Sequence, residues 1–420
     1  MSADLKTPVQ NKPLMELDQA LALLLAGAKP VVESEMVSTF DAVGRVLAQP
    51  QFSSINVPPL DNSSMDGYAV RCSDVPAVGT TLEVSQRIPA GKVGSPLVAG
   101  TAARIFTGAP VPPGADAIVM QEYVSFADSK ATFNELPKPG EWIRRAGEDI
   151  ATGGEVLARG TRLRPQEVGL AASVGLASLP VFRPIRVALF STGDELVMPG
   201  NPLPLGAIYN SNRFLLKGLL EQLGCTVIDF GIVPDKLDAT RQALRKAAAE
   251  DKADLILTSG GVSMGEEDHI KPAVEAEGVL DHWLVNSKPG RPFAFGRVVT
   301  QGNEAAFIGL PGNPVSSFVT FLLLVRPFIR KLQGMPVELE TALPRAMTHT
   351  AGFDQPKADR RREFLRARIG EDGLLELFPN QSSGVLTSAA WADGLIDNPA
   401  GVQIKRGDQV RFLPFSELLT

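Results

Sequence analysis

The chain contains 420 residues with a net charge of −6; 44% of its residues are hydrophobic and 21% are charged. At about 150 residues per domain this length predicts roughly three domains, and the composition excludes a mainly disordered protein. The acidic balance, without a basic stripe, argues against binding to nucleic acid. With two cysteines in all, a disulfide framework is excluded. The most membrane-like apolar run has eight residues, far fewer than the ~20 that a membrane-spanning helix needs.

The N-terminal half of the chain predicts two helices followed by a β-rich region. Residues 1–12 are polar, so we expect disorder there; they lack the apolar core of a signal peptide, and we expect a cytoplasmic protein. Apolar residues at helical spacing predict amphipathic helices at residues 15–25 and 38–48. Short alternating runs separated by Gly and Pro predict a small β-rich region at about residues 66–150.

Beyond residue 164 the pattern alternates between helices and apolar strands. This order is typical of a parallel sheet covered by helices, which we expect to extend to about residue 334. After Pro336, short strands separated by glycine turns predict a separate β-domain. The predicted helices are residues 164–175, 212–223 and 237–250, and the predicted strands are residues 186–190, 226–232, 254–258, 364–369, 374–378 and 409–413.

A glycine-rich turn follows the predicted strand 254–258. Open α/β sheets bind ligands at the carboxyl ends of their strands, and glycines let backbone N–H groups approach an anion closely. The turn therefore favours an anion-binding loop over a tight turn without a ligand. The acidic residues 266–268 that follow are explained equally well by a bridging Mg²⁺ ion and by a solvated turn. The turn reads SGGVSMG and includes Ser259, Gly260, Gly261 and Ser263.

A second strand end and a short basic loop carry further charged groups. The turn STGDEL follows the predicted strand 186–190 and brings two carboxylates, Asp194 and Glu195. Two acidic strand ends in one sheet raise the prospect of a metal–phosphate site. The loop KPGRP holds Lys288 and Arg291 between rigid prolines, which suits the binding of an oxyanion.

A third loop, GLPGNPVSS, precedes the longest apolar helix. It contains Pro311, Pro314 and Ser316. The start of the helix would be an anion site, although simple helix capping explains the same residues.

One pattern favours a different activity. Residues 261–265 match the G-x-S-x-G nucleophile elbow of α/β hydrolases, with Ser263 as the nucleophile and His349 as the later histidine. This pattern is short, and the acidic residues beside it favour a cation over an oxyanion. A serine hydrolase is therefore the weaker alternative.

Eight segments, spread over most of the chain, form a specific combination. They are DNSSMDGYAV (61–70), RIFTGAPVPPGADAIVMQE (104–122), RRAGEDI (144–150), VALFSTGDEL (187–196), IYNSNRFLL (208–216), LTSGGVSMGEEDHIK (257–271), KPGRPFAFG (288–296) and GLPGNPVSSFVTF (309–321). Together, and in this order, they resemble the molybdopterin molybdenumtransferase family, which inserts molybdenum into molybdopterin and is related to the C-terminal domain of gephyrin.

The resemblance implies a multidomain α/β fold. An elongated N-terminal domain (1–50 plus 151–182) would carry an inserted β-rich domain (51–150). A central three-layer α/β molybdopterin-binding domain (183–334) and a C-terminal β-barrel (335–420) would follow. Family members are homodimers with an active cleft shared between subunits.

The resemblance also implies a reaction. Adenylylated molybdopterin, supplied by molybdopterin adenylyltransferase, and molybdate would give molybdenum cofactor and AMP with Mg²⁺ as cofactor. Molybdoenzyme maturation factors would be further partners, with neither nucleic acid nor a membrane involved. Because gephyrin also organises partner proteins, a non-catalytic scaffold is a second alternative, but a scaffold does not need the acidic and glycine-rich loops.

Several residues match the family's functional positions. The implied catalytic residues are Asp66, Thr107, Asp149, Glu195, Asp235 and Asp268, and the implied metal ligands are drawn from Glu195, Asp235 and Asp268. The implied oxyanion-binding residues are Lys288, Ser316, Arg366 and Ser383, with Pro311 and Pro314 shaping their loop. Arg291 stands where bacterial relatives often have lysine; it remains cationic but cannot act as a general base.

Overall fold

The computed structural model describes residues 14–262 and 269–419. They form two compact units. The small unit contains Met36–Val43 and Gln49–Pro180, and the large unit contains the described residues of Met1–Glu35, Gly44–Ala48 and Val181–Thr420. The segment 1–12, predicted to be disordered, lies outside the described residues, and the division into four domains stays a prediction.

The helix α1 (Leu17–Gly27) belongs to the large unit and confirms the helix predicted at residues 15–25. Its leucines recur at spacings of three and four, which places them on one face. That face is buried, since Leu17, Leu21 and Leu24 are at most 2% exposed. Full burial of one leucine stabilises by roughly 1.5–3 kcal/mol, so packing of this face holds α1 in place.

The helix predicted at residues 38–48 is wrong. The chain forms β1 (Ser34–Ser38) and then a short 3₁₀ turn (Thr39–Asp41). Gly44 has a φ of +84°, a left-handed conformation that interrupts a helix. Leu47, which is fully buried, then forms an antiparallel bridge. The apolar residues of this segment are therefore buried from a largely extended backbone and do not form one face of a helix.

The small unit is β-rich, as predicted, and α2 confirms the helix predicted at residues 164–175. The elements from here to the end of β12 are β2 (Gln51–Phe52), β3 (Asn62–Ser63), β4 (Gly67–Val70), β5 (Thr81–Ile88), β6 (Thr101–Ile105), β7 (Ala117–Met120), β8 (Val124–Ala127), β9 (Lys130–Phe133), β10 (Ile143–Arg144), β11 (Glu155–Leu157), α2 (Pro165–Ser173) and β12 (Ser178–Phe182). Its main sheet has the order β7-β4-β6-β5-β9-β8. Of these pairs, β5–β6 is parallel and the others are antiparallel.

The large unit contains the predicted alternation of strands and helices. Its elements as far as α7 are β13 (Arg186–Thr192), β14 (Leu196–Val197), β15 (Ile208–Tyr209), α3 (Ser211–Gln222), β16 (Thr226–Val233), α4 (Leu237–Arg245), β17 (Leu255–Ser259), α5 (Ile270–Glu277), β18 (Gly278–Leu284), β19 (Ser287–Lys288), β20 (Pro292–Thr300), β21 (Asn303–Leu310), α6 (Pro314–Thr320) and α7 (Arg326–Leu332). Single π-helical turns extend α4 and join α6 to α7.

The central sheet of the large unit has the order β16-β13-β17-β21-β20-β18. The first four strands are parallel, and β20 and β18 are antiparallel to their neighbours. Alternate residues of β13 enter different cores: Val187 and Leu189 face a cluster with α1, α3 and α7, whereas Ala188 and Phe190 face a cluster with α4 and α5. Helices therefore cover both faces of the sheet, which is the predicted three-layer arrangement.

The C-terminal part of the large unit forms a second sheet with the order β19-β23-β25-β26-β22, and β24 pairs with β23. Its own elements are β22 (Met347–Thr350), β23 (Arg362–Ile369), β24 (Leu375–Leu377), α8 (Thr387–Trp391), β25 (Gly394–Asn398), β26 (Gln409–Pro414) and α9 (Phe415–Leu418). The parallel pair β19–β23 joins this sheet to the loop that carries Lys288. In the described ranges, no helix has both the length and the apolar composition to cross a membrane.

Candidate active site

A cleft of about 910 Å³ lies in the large unit at the carboxyl edge of its central sheet. Three lining residues end or follow parallel strands: Thr192 ends β13, Ser259 ends β17 and Pro311 follows β21. From β13 the chain passes to β16 on one side and then to β17 on the other. The cleft thus lies where the strand order reverses, which is where open α/β sheets bind ligands.

The turn after β17 brings main chain close to both neighbouring strands. The hydroxyl groups of Ser259 and Ser191 are 3.1 Å apart, and the Gly260 N–H donates to the Leu310 carbonyl at 3.1 Å. Gly260 has a φ of +87°, and a Cβ there would lie 2.8 Å from the Thr192 carbonyl oxygen. Only glycine fits this backbone without a shift.

Only some of the residues predicted in this turn are found at the cleft. Ser259 and Gly260 line the cleft, whereas Gly261, which has a φ of +65°, is not among the cleft-lining residues that the structure describes. Ser263 lies outside the described residues.

Glu195 brings an exposed carboxylate to the cleft. A Cβ on Gly193 would lie 2.6 Å from the Glu195 Oε2, so the carboxylate folds back over its own turn. The Glu195 carbonyl accepts a hydrogen bond from the Ile208 N–H at 2.8 Å, which fixes the backbone. Asp194 is also exposed, but within the described part of the chain it does not line the cleft.

The predicted cations Lys288 and Arg291 line the cleft, together with Arg361. The Lys288 Nζ lies 2.9 Å from the Glu363 Oε1 and 3.1 Å from the Asp359 Oδ2. Arg291 is exposed. The cleft therefore has two kinds of cation, one fixed by carboxylates and one extended into solvent.

The ion pairs of Lys288 change the pKa on both sides. Burial acts to lower the pKa of Lys288, but hydrogen bonds with Glu363 and Asp359 outweigh burial and raise it. Hydrogen bonds from Arg361, with a further contribution from Lys288, hold the pKa of Asp359 well below its usual range. The Lys288 ammonium consequently stays charged and fixed in place at neutral pH.

The loop before α6 contributes Pro311, Pro314 and Ser316 to the cleft. The Asn212 side-chain amide donates to the Gly312 carbonyl at 2.8 Å and anchors this loop to α3. Pro314 occupies the first turn of α6, where its missing N–H is not needed. Ser316 is only 4% exposed, so a small part of it faces the cleft.

Arg366 is not among the described residues that line the cleft. The resemblance of the chain to the family predicts that this residue binds an oxyanion. It is 1% exposed, and its guanidinium donates to the Ser382 carbonyl at 3.3 Å. Burial lowers the pKa of Arg366 to about 10. Its backbone N–H donates to the Gln381 Oε1 at 2.9 Å. Arg366 thus supports the loop that brings Ser383 to the cleft, and its role in oxyanion binding stays a prediction.

The predicted metal ligands are only partly brought together. Asp235 is half-buried two residues after β16 and is not among the described residues that line the cleft. Asp268 lies outside the described residues. Within the part of the chain that the structure describes, no group of three or more His, Cys, Asp or Glu side chains could hold a metal ion. Of the predicted ligands, the structure places Glu195 at the cleft.

Three predicted catalytic residues lie in the small unit. The Thr107 N–H and hydroxyl both donate to the Asp66 Oδ1, at 2.8 Å and 2.7 Å. These bonds lower the pKa of Asp66 below its usual value. Asp149 is exposed, and its backbone N–H donates to the Val57 carbonyl at 3.1 Å.

Three buried polar residues that line the cleft were not among the predicted site residues: Thr192, Asn210 and Asn212. They are 4%, 2% and 8% exposed. Each has one polar atom without a hydrogen-bond partner in the described structure, namely the Thr192 Oγ1, the Asn210 Nδ2 and the Asn212 Oδ1. Position in the sequence could have identified them, because Thr192 ends β13, and Asn210 and Asn212 belong to the sequence NSN, which begins α3.

Comparison with known proteins agrees with this architecture. Three family models match consecutive parts of the chain: "MoeA N-terminal region (domain I and II)" at residues 15–175, "Probable molybdopterin binding domain" at residues 188–331, and "MoeA C-terminal region (domain IV)" at residues 348–415. A molybdopterin molybdenumtransferase from Haemophilus influenzae is 41% identical over 97% of this chain and 100% of that protein. The chain belongs to the molybdopterin molybdenumtransferase family.

Other members support the same assignment. A molybdopterin molybdenumtransferase from Nostoc is 37% identical over 88% of this chain and 86% of that protein. The crystal structure of a molybdopterin biosynthesis MoeA protein from Pyrococcus horikoshii has a TM-score of 0.80 at 29% identity, over 95% of this chain and 99% of that one.

The position of His349 bears on the hydrolase alternative. His349 lies in β22, where its ring contacts Phe412 with 5.4 Å between ring centroids. It is not among the described residues that line the cleft. The described part of the chain gives the hydrolase alternative no support.

Proposed function

We propose that this chain is a molybdenum insertase, which converts adenylylated molybdopterin and molybdate to molybdenum cofactor and AMP. The observation that carries the proposal is the cleft. It combines a glycine-rich turn, fixed cations and a carboxylate, and most of its lining falls within the segment that matches the molybdopterin-binding family model. The relatives named for this activity match nearly the whole chain.

Lys288, Arg291 and Ser316 are proposed to hold the oxyanions. Preorganised cations and hydrogen-bond donors stabilise negative charge without reorganisation during the reaction. Lys288 meets this requirement because two carboxylates hold its ammonium group in place. Arg366 is proposed to act indirectly, by positioning the loop that carries Ser383.

Glu195 suits one position in the coordination of Mg²⁺. This ion commonly binds one or two carboxylates together with substrate phosphates and water, and Glu195 offers an exposed carboxylate at the cleft. Bound Mg²⁺ would neutralise charge on the phosphoanhydride. Asp235 and Asp268 remain proposed ligands from the family resemblance alone.

The remaining parts of the proposal rest on that resemblance. They are a homodimer with a shared cleft, catalytic roles for Asp66, Thr107 and Asp149, a cytoplasmic location, and an upstream molybdopterin adenylyltransferase. Molybdoenzyme maturation factors would receive the product.

The test is AMP release from adenylylated molybdopterin with Mg²⁺, measured with and without molybdate. We expect release only when molybdate is present, because insertion and anhydride cleavage are coupled in the proposed reaction. Equal release in both conditions would show an uncoupled anhydride hydrolase and contradict the proposal.

A matched pair of variants tests the role of Glu195. Glu195→Gln removes the charge at the cleft, and we expect molybdate-dependent AMP release to fall by on the order of 100-fold. Asp194→Asn removes the same charge one residue away and should keep the wild-type rate. An equal loss of AMP release in the two variants, both folded, would show that Glu195 has no specific role in the site.

A further inference from the structure

The small unit carries a row of cationic and aromatic side chains that the proposed reaction does not use. Tyr68 of β4 pairs in register with Arg104 of β6, and Arg104 pairs with Arg87 of β5. Side chains at paired positions lie on the same face of a sheet. The two guanidinium groups are therefore neighbours, and Phe106 lies two residues beyond Arg104 on the same chain segment.

Aromatic rings hold both guanidinium groups. Their central carbons lie over the Phe106 ring, 4.5 Å from the centroid for Arg87 and 4.7 Å for Arg104. Arg104 is also 5.0 Å from the Tyr68 ring centroid, and it donates to the Gly67 carbonyl at 3.0 Å and to the Gln121 Oε1 at 2.5 Å. Stacking engages the flat face of a guanidinium and leaves N–H groups at its edge for in-plane hydrogen bonds.

In the described residues, neither of the two cations forms an ion pair with a carboxylate. Within residues 14–262 and 269–419, neither guanidinium has an Asp or Glu oxygen within 4.0 Å, and no protein acceptor lies within hydrogen-bond distance of the Arg87 guanidinium. Like charges at paired positions destabilise a sheet, so an anion bound between these two would relieve the repulsion. A cavity of about 470 Å³ adjoins them, lined also by Ser85, Gln86 and Phe126.

We propose that this arginine–aromatic row binds a phosphate group, either as free inorganic phosphate or as part of a nucleotide such as AMP. The planar fork of arginine matches the geometry of phosphate oxygens. The cavity volume is in the range of small-ligand sites, and Phe126, which is 57% exposed, offers a ring face for a base. The inference does not depend on the insertase reaction in the cleft.

The test is calorimetric titration of the full chain at low salt, with inorganic phosphate in one arm and AMP in the other. Because the cleft also carries cations, we titrate a Lys288→Gln variant alongside the wild type, and the binding that is lost from this variant when Arg87→Gln is added is assigned to the row. In that background, Arg87→Gln should weaken binding by about tenfold, the equivalent of one charge-assisted hydrogen bond.

Controls separate the row from general surface charge. Lys92→Gln removes the same charge from an exposed residue that does not line the cavity, and it should leave binding unchanged. Arg87→Lys, which keeps the charge but loses the fork, should bind with intermediate affinity. Tighter binding of AMP than of phosphate would identify a nucleotide ligand, and equal affinity would identify the free oxyanion.

Two results would overturn the proposal: no phosphate binding in Lys288→Gln, or an unchanged isotherm when Arg87→Gln is added. Since the titrations involve no turnover, their outcome is independent of the AMP-release assay.

Discussion

Replacement of Gly260 by alanine tests whether the turn after β17 requires glycine. At a φ of +87°, an L-residue lies in the left-handed region, which costs about 1–2 kcal/mol. The added Cβ would also lie 2.8 Å from the Thr192 carbonyl oxygen, and the turn would have to move to relieve this contact. We therefore expect the free energy of unfolding to fall by about 2–3 kcal/mol in urea denaturation followed by circular dichroism.

The same displacement should reduce activity. The turn lines the cleft, and a shift of about 1 Å in a positioning element can lower a rate on the order of 100-fold. Gly312→Ala is the matched control, because a Cβ at Gly312 would be 3.8 Å from the Gly260 Cα, an ordinary contact. Its free energy of unfolding should change by no more than about 0.5 kcal/mol. Wild-type stability in Gly260→Ala, or equal losses in both variants, would refute the reasoning.

Thr107→Val should raise the pKa of Asp66 toward its usual value, because one of the two hydrogen bonds that lower it is lost; carbon NMR of the carboxyl measures this, and Thr107→Ser should keep the low pKa. Because the pKa of Asp66 is lower in the folded state, the stabilisation from these bonds is complete above the unfolded-state pKa and disappears as the pH falls through the folded-state pKa. The difference in free energy of unfolding between Thr107→Val and wild type should therefore shrink in that pH window. A pH-independent difference would contradict the assignment. Arg362→Met should lower the free energy of unfolding by about 3 kcal/mol, because Asp397, 3% exposed, loses a partner that donates two hydrogen bonds at 2.6 Å and 2.9 Å. Arg368→Met breaks an exposed ion pair and should lower it by no more than about 0.5 kcal/mol in the same urea assay; similar losses in the two arginine variants would show that burial does not decide the strength of these pairs.

The layered arrangement of the large unit could be predicted because its strands are short apolar runs between amphipathic helices. A parallel sheet was expected throughout, and the antiparallel pairing of β20 with β21 and β18 was not predicted. The signal there was local: β20 and β21 are joined through Gln301 and Gly302, and Gly302 has a φ of +93°. Such a two-residue turn with glycine is typical of a β-hairpin.

The site could be predicted where loops follow strands, since topology alone brings those loops together. It could not be predicted where burial decides the role of a charge. The run RRREFLR (360–366) is typical of a solvated face, yet Arg366 is 1% exposed and Arg362 pairs with the buried Asp397. Both arginines lie on β23, and only the tertiary structure shows that Arg366 is buried while Arg362 is partly exposed.

The pairing of β19 with β23 explains why the C-terminal sheet belongs to the site. Lys288 and Glu363 are partners both in strand register and in an ion pair of 2.9 Å. The Glu363 side chain is 1% exposed, so loss of the Lys288 ammonium would leave a buried carboxylate without its ion-pair partner. Each group thus holds the other in place, and the C-terminal sheet positions a cation that lies 75 residues before Glu363 in the sequence. Mutations that loosen this sheet should therefore weaken oxyanion binding even though they touch no cleft residue.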